Sequence, residues 1–185
     1  KKAFPRGADS AAFFHLLKEP LHPYQCEGAL FAARTGRCLI GDDMGLGKTV
    51  QAIAAAEILA KHAGIERVLV VCPTSLKHQW ELELARFTGR NALVISGNLA
   101  NRKHQYADTA MWKVASYDTI ARDIEAITRW SPELVIADEA QRIKNWNTVA
   151  ARTLKRIVSP YAFVLTGTPL ENRLEELISI VQYVD

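Results

Sequence analysis

Arg37-Cys38-Leu39-Ile40-Gly41-Asp42-Asp43-Met44-Gly45-Leu46-Gly47-Lys48-Thr49-Val50-Gln51 runs from a short apolar stretch through a glycine-rich turn into an alanine-rich segment with helical spacing. A strand, a glycine turn and a helix in that order make the context that a phosphate-binding loop requires. Glycines there let backbone N–H groups converge on phosphate oxygens, and the helix N-terminus adds positive potential. Lys48 suits the neutralisation of β and γ phosphates, and the Thr49 hydroxyl suits a Mg²⁺ ion. The full GxxxxGK[ST] pattern is broken, because Asp42 stands where the first glycine belongs. A plain glycine turn with Lys48 pointing into water is the structural alternative. It leaves a lysine followed by a hydroxyl residue, at a strand-to-helix junction, without a purpose.

Outward from that loop, short apolar runs alternate with longer helical patterns, the signature of an α/β fold. Strands are expected over residues 37–41, 67–72, 92–96, 112–116, 134–138 and 162–166, and helices over 23–34, 48–62, 76–87, 117–130, 148–158 and 173–184. Runs such as Val68-Leu69-Val70-Val71 and Leu134-Val135-Ile136-Ala137 lack polar alternation. Continuous apolar runs suit parallel strands covered on both faces. Ser75 reads as a cap before the third helix, and Ser131-Pro132 as the break after the fourth. Residues 98–108 fit either a loop or a short surface helix.

The strand at 134–138 ends in Asp138-Glu139-Ala140-Gln141, which puts two carboxylates at a strand C-terminal end. Alone, such a pair is usually a solvated turn. Beside a phosphate loop, the first carboxylate can hold the Mg²⁺ shell and the second can accept a proton from attacking water. Asp138 is therefore assigned to the metal and Glu139 to the general base.

Composition narrows the field. The 185 residues are 49% apolar and 23% charged, the mixture of one soluble globular domain. Lysine and arginine exceed aspartate and glutamate by 23 to 20, so a net charge of +3 does not by itself imply nucleic acid or membrane. No stretch approaches the roughly 18 apolar residues of a bilayer span, and Lys1-Lys2-Ala3-Phe4-Pro5 precedes no signal core. Cys26, Cys38 and Cys72 form no CxxC pair and read as reduced core thiols of an intracellular protein, cytoplasmic in a bacterium or nuclear in a eukaryote.

With these residues on the page, the sequence resembles the Swi/Snf-like branch of superfamily-two helicase-like ATPases from about Leu21 to Asp185. Leu21-His22-Pro23-Tyr24-Gln25 is similar to the adenine-reading Q motif, and Asp42 to Gln51 to motif I, where that family also carries an acidic residue. Val70 to Leu76 with Trp80 looks like motif Ia, and Ala115-Ser116-Tyr117-Asp118 like a later strand-end motif that touches the nucleic-acid backbone. Asp138 to Asn145 is similar to motif II, with Gln141 where many members have histidine. Leu165 to Asn172 is similar to motif III. Its Thr166-Gly167-Thr168-Pro169 differs from the Ser-Ala-Thr version usual in DEAD-box RNA helicases.

The resemblance implies a RecA-like three-layer sandwich, mainly parallel and carrying the P-loop, that forms the first of two lobes of an ATP-driven motor. Residues 1–20 are then a flanking segment and 21–185 the lobe, excised from a longer protein whose second lobe, with its arginine fingers, is absent. The motif III strand at 162–166 is expected between those at 37–41 and 134–138. Gln25, Asp43, Met44, Gly45, Leu46, Gly47, Lys48, Thr49 and Val50 would hold ATP; Thr49 and Asp138 would hold Mg²⁺; Gln141, Thr166, Gly167 and Thr168 would couple the motifs. Double-stranded DNA is the expected partner through Thr74, Ser75 and Ser116, and a DNA-bound protein complex the expected target. The acid-free run with Arg142, Lys144, Arg152, Lys155 and Arg156 reads first as a solvated helix face, and Trp80, Trp112, Trp130 and Trp146 as packing residues. Rival readings are an RNA helicase lobe, a non-catalytic P-loop scaffold and a small-molecule kinase. Motif III opposes the first, the intact Lys48, Thr49, Asp138 and Glu139 the second, and the lack of an acceptor pocket the third.

Overall fold

The computed structural model describes residues 7, 10–41, 45–140, 149–167 and 183. Within them β1 (Arg37–Ile40), β2 (Val68–Cys72), β3 (Ala92–Val94), β4 (Trp112–Ser116), β5 (Leu134–Ala137) and β6 (Tyr161–Leu165) form one sheet in the order β1-β6-β5-β2-β4-β3. Every pairing is parallel. As expected, β6 lies between β1 and β5, with Ile40 opposite Leu165 and Val164 opposite Ala137. A parallel sheet brings all strand C-terminal ends to one edge, and that edge receives Gly41, Thr166, Asp138 and Pro73.

The continuous apolar runs are explained by cover on both faces. Val68, Val70, Leu134, Ile136, Phe163 and Leu165 face one core, built with α1 (Pro23–Thr35), α2 (Lys48–Ala63) and α3 (Lys77–Thr88). Leu69, Val71, Val135, Ala137 and Val164 face the other, built with α4 (Leu99–Ala107), α5 (Tyr117–Trp130) and α6 (Val149–Arg156). The polar segment around residue 100 is thus a helix. Asn98 Oδ1 accepts from the Asn101 N–H at 2.9 Å to cap α4, and Arg102 forks onto buried Asp123 of α5 at 2.7 and 2.8 Å. Ahead of α1, Phe13 and Leu17 enter the first core, and the Lys18 N–H donates to the Phe87 carbonyl at 2.8 Å.

Two expectations need correction. Ser75 does not cap the third helix: Thr74–Leu76 form a 3-10 turn, and Leu76 precedes α3 without a side-chain cap. The third strand ends at Val94, although the Ile95 N–H still donates to the Val114 carbonyl. The helix expected over 173–184 lies outside the described residues, save Tyr183. Among the polar residues that are buried, one is a lysine inside the sheet. Lys113 of β4 has no exposed surface; its Nζ donates to the Asp108 carbonyl at 2.7 Å and lies 4.1 Å from the Trp130 ring centroid. Burial pushes its pKa down to about 8.

Candidate nucleotide site

Gly45 and Gly47 have φ of 90° and 73°, a backbone region that costs other L-residues energy, and from Gly47 the chain turns directly into α2. Lys48 is the first residue of that helix, which has neither a side-chain cap nor an acid in its first turn. The helix N-terminus therefore presents its positive dipole end to the loop with no carboxylate of its own first turn to neutralise it. A cavity of about 310 Å³ opens at this point, lined by Gly45, Gly47, Lys48, Thr49 and Val50 on one side and Asp138 and Glu139 on another. Leu76, Gln79, Trp80 and Glu83 close it from the α3 side.

Asp138 extends β5 by one residue, its N–H donating to the Val71 carbonyl at 2.8 Å. The carboxylate is buried, with 9% of the residue exposed. Oδ2 accepts from the Trp80 indole N–H at 2.8 Å and Oδ1 from the Glu139 backbone N–H at 2.8 Å. The Asp138 carbonyl accepts from the Tyr117 hydroxyl at 2.8 Å. Burial pushes the Asp138 carboxyl above its ordinary pKa; the bonds from Trp80 and Glu139 oppose that rise, the Glu139 charge adds to it, and Lys48 opposes it. Glu139 follows in a left-handed conformation, φ 51°, uncommon for a non-glycine residue and found disproportionately at functional sites.

The donor set fits Mg²⁺. Thr49 and Asp138 offer hard oxygen atoms on one cavity, and among the described residues no group of three or more His, Cys, Asp or Glu side chains could hold a metal ion alone. Mg²⁺ is commonly bound by one or two carboxylates plus substrate phosphates, so a protein-only cage is not required.

Other predicted residues fall nearby. Gln25 is buried; its Oε1 accepts from the His22 N–H at 3.0 Å, capping α1, and a Cβ on Gly47 would stand 2.5 Å from its Nε2. Gln25 thus packs against the glycine turn that precedes α2. Thr166 is buried between Gly41 and Asp138, its N–H bonded to the Ile40 carbonyl at 3.2 Å and its hydroxyl without a partner among the described residues. Gly167 is buried beside it. Thr74 and Ser75 are exposed at the end of β2, whereas Ser116 is buried and its hydroxyl caps α5 by accepting from the Thr119 N–H at 3.3 Å. Asp43, Met44, Gln141 and Thr168 lie outside the described residues. Trp80 and Tyr117 were not foreseen as site residues. Trp80 carried only its place in the motif Ia stretch, and nothing local in the sequence pairs it with Asp138.

The SNF2-related domain family matches residues 24–185. The chain belongs to that family. This SNF2-related domain is 33% identical over 89% of its length to zebrafish (Danio rerio) chromodomain-helicase-DNA-binding protein 8, and 30% identical over 89% to DNA repair protein rhp54 of Schizosaccharomyces pombe. It spans 7% and 23% of the length of those two relatives. A solved Sulfolobus solfataricus SWI2/SNF2 ATPase core in complex with dsDNA superposes with a TM-score of 0.82 at 32% identity, over 91% of this chain and 36% of that one.

Proposed function

We propose that this SNF2-related domain is the ATP-binding lobe of a DNA-dependent ATPase and translocase that remodels protein–DNA complexes. The carrying observation is the convergence of Lys48, Thr49, buried Asp138 and Glu139 on one cavity at the N-terminus of α2. Lys48 and the first N–H groups of α2 neutralise and orient the phosphates. Thr49 and Asp138 hold Mg²⁺, which when bound supplies charge neutralisation at the phosphoryl oxygens. Glu139 accepts the proton of the water that attacks the γ-phosphorus as the bond to the β-phosphate oxygen breaks. Gln25, packed on Gly47, presents its amide to the base.

Double-stranded DNA as the track is supported by the dsDNA-bound Sulfolobus core, and the exposed Thr74 and Ser75 are the residues proposed to meet its phosphates. A second lobe outside these 185 residues is supported by the 36% share of the Sulfolobus chain that is matched. The names of the chromodomain and DNA-repair relatives support an intracellular site of action, nuclear in a eukaryote. No described helix is long and apolar enough to cross a membrane.

The test compares ATP hydrolysis by the longest natural chain carrying this sequence with hydrolysis by these 185 residues, each with duplex DNA, single strands or RNA. Duplex DNA should stimulate the long chain most and the short one hardly at all, because arginines supplied by a partner domain contribute roughly 10³ to 10⁵ in rate in related phosphate-loop enzymes. Glu139→Gln should retain ATP and abolish turnover. Preferential stimulation by RNA, or normal turnover with Glu139→Gln, would refute the reading.

A further inference from the structure

We infer that Trp80 is a positioning residue: its indole N–H fixes the Asp138 carboxylate in the orientation that holds Mg²⁺. The inference rests on the reading of Asp138 as a metal ligand. Trp80 lies in the first turn of α3, 1% exposed, and an indole nitrogen is a donor only, so it neither ligates a metal nor accepts a proton. What it can do is aim an oxygen. With Oδ2 held by Trp80 and Oδ1 by the Glu139 N–H, rotation of the carboxylate breaks both bonds. The Asp138 carbonyl is held separately by Tyr117 of α5, so backbone and side chain are anchored from helices on opposite faces of the sheet. Trp80 is also the bond through which α3, which begins just after Thr74 and Ser75, reaches the metal ligand.

Trp80→Phe in the longest natural chain removes the donor and keeps an aromatic ring. Fluorescent-nucleotide titrations with EDTA and with graded Mg²⁺ separate metal from nucleotide. Affinity in EDTA should stay within about twofold, while the Mg²⁺ needed for half-maximal strengthening should rise about tenfold, the scale of losing a group that orients a metal ligand. In steady state at intermediate Mg²⁺, kcat should fall and be restored by excess Mg²⁺, which a merely packing residue would not allow. Asp138→Asn is the reference. If it leaves the Mg²⁺ effect intact, the metal assignment of Asp138 fails; if it abolishes the effect and Trp80→Phe does not change it, the Trp80 inference alone fails. Should Trp80→Phe not fold, proteins that keep Trp80 still decide. One slowly exchanging indole N–H resonance must shift both with Asp138→Asn and on addition of Mg²⁺ with nucleotide, and the absence of such a resonance overturns the inference.

Discussion

Two glycines of the phosphate loop share a left-handed backbone but not a neighbourhood, which makes them a controlled pair. Among the described residues a Cβ at Gly45 would meet nothing within 4 Å, whereas one at Gly47 would stand 2.5 Å from Gln25 Nε2. Gly45→Ala therefore carries only the backbone cost, about 1 to 2 kcal/mol for an L-residue in that region. Gly47→Ala carries the same cost and must also displace a buried glutamine whose Oε1 caps α1, a hydrogen bond of about 0.5 to 1.5 kcal/mol. Denaturant unfolding should show Gly47→Ala less stable than Gly45→Ala by roughly 1 kcal/mol, or about 2 to 4 °C in Tm for a domain of this size. In a Gln25→Ala background the difference should vanish, because nothing remains to displace. Equal losses for the two alanines, or an unchanged Gly47→Ala deficit without Gln25, would refute the packing of the Q motif on the phosphate loop.

Two further outcomes are expected. Lys48→Ala should weaken nucleotide binding by about 1.5 to 3 kcal/mol, the scale of a hydrogen bond to a charged group, checked by titration with ATP; unchanged affinity would remove Lys48 from the site. Burial pushes the folded pKa of Lys113 down to about 8 from the ordinary lysine value of 10.5. Below pH 8 both states are protonated and burial costs the fold its full penalty, which is relieved as pH rises from about 8 to 10.5. Lys113→Met removes the penalty, so the stability gap between variant and wild type should narrow by about 1 to 2 kcal/mol between pH 7 and pH 9.5. A gap independent of pH would show that Lys113 is not held as a strained buried cation.

How much could be read in advance differs by element for physical reasons. The strands at 68–72 and 134–137 were legible almost to the residue because burial on both faces demands unbroken apolar runs, and the place of 162–166 between 37–41 and 134–138 followed the resemblance. Residues 98–108 were not, because only Tyr106 of α4 is buried and the helix leans on Arg102 reaching Asp123, a partner on another element. Ser75 misled for a related reason: a hydroxyl before a helix suits a cap, but the chain makes a 3-10 turn first, so the cap position passes to Leu76. The same division runs through the candidate site. Lys48, Thr49, Asp138 and Glu139 announce themselves because a parallel sheet collects strand ends at one edge, so chemistry written at strand ends is written in one place. Trp80 does not. Its contact with Asp138 depends on how α3 is rotated about its axis above the sheet, and that angle is set by where Leu84 and Phe87 find room in the core, which no local pattern reports. Residues proposed to bear the chemistry were therefore readable as one cluster, while the one proposed to aim Asp138 emerged only when helix and strand were placed together.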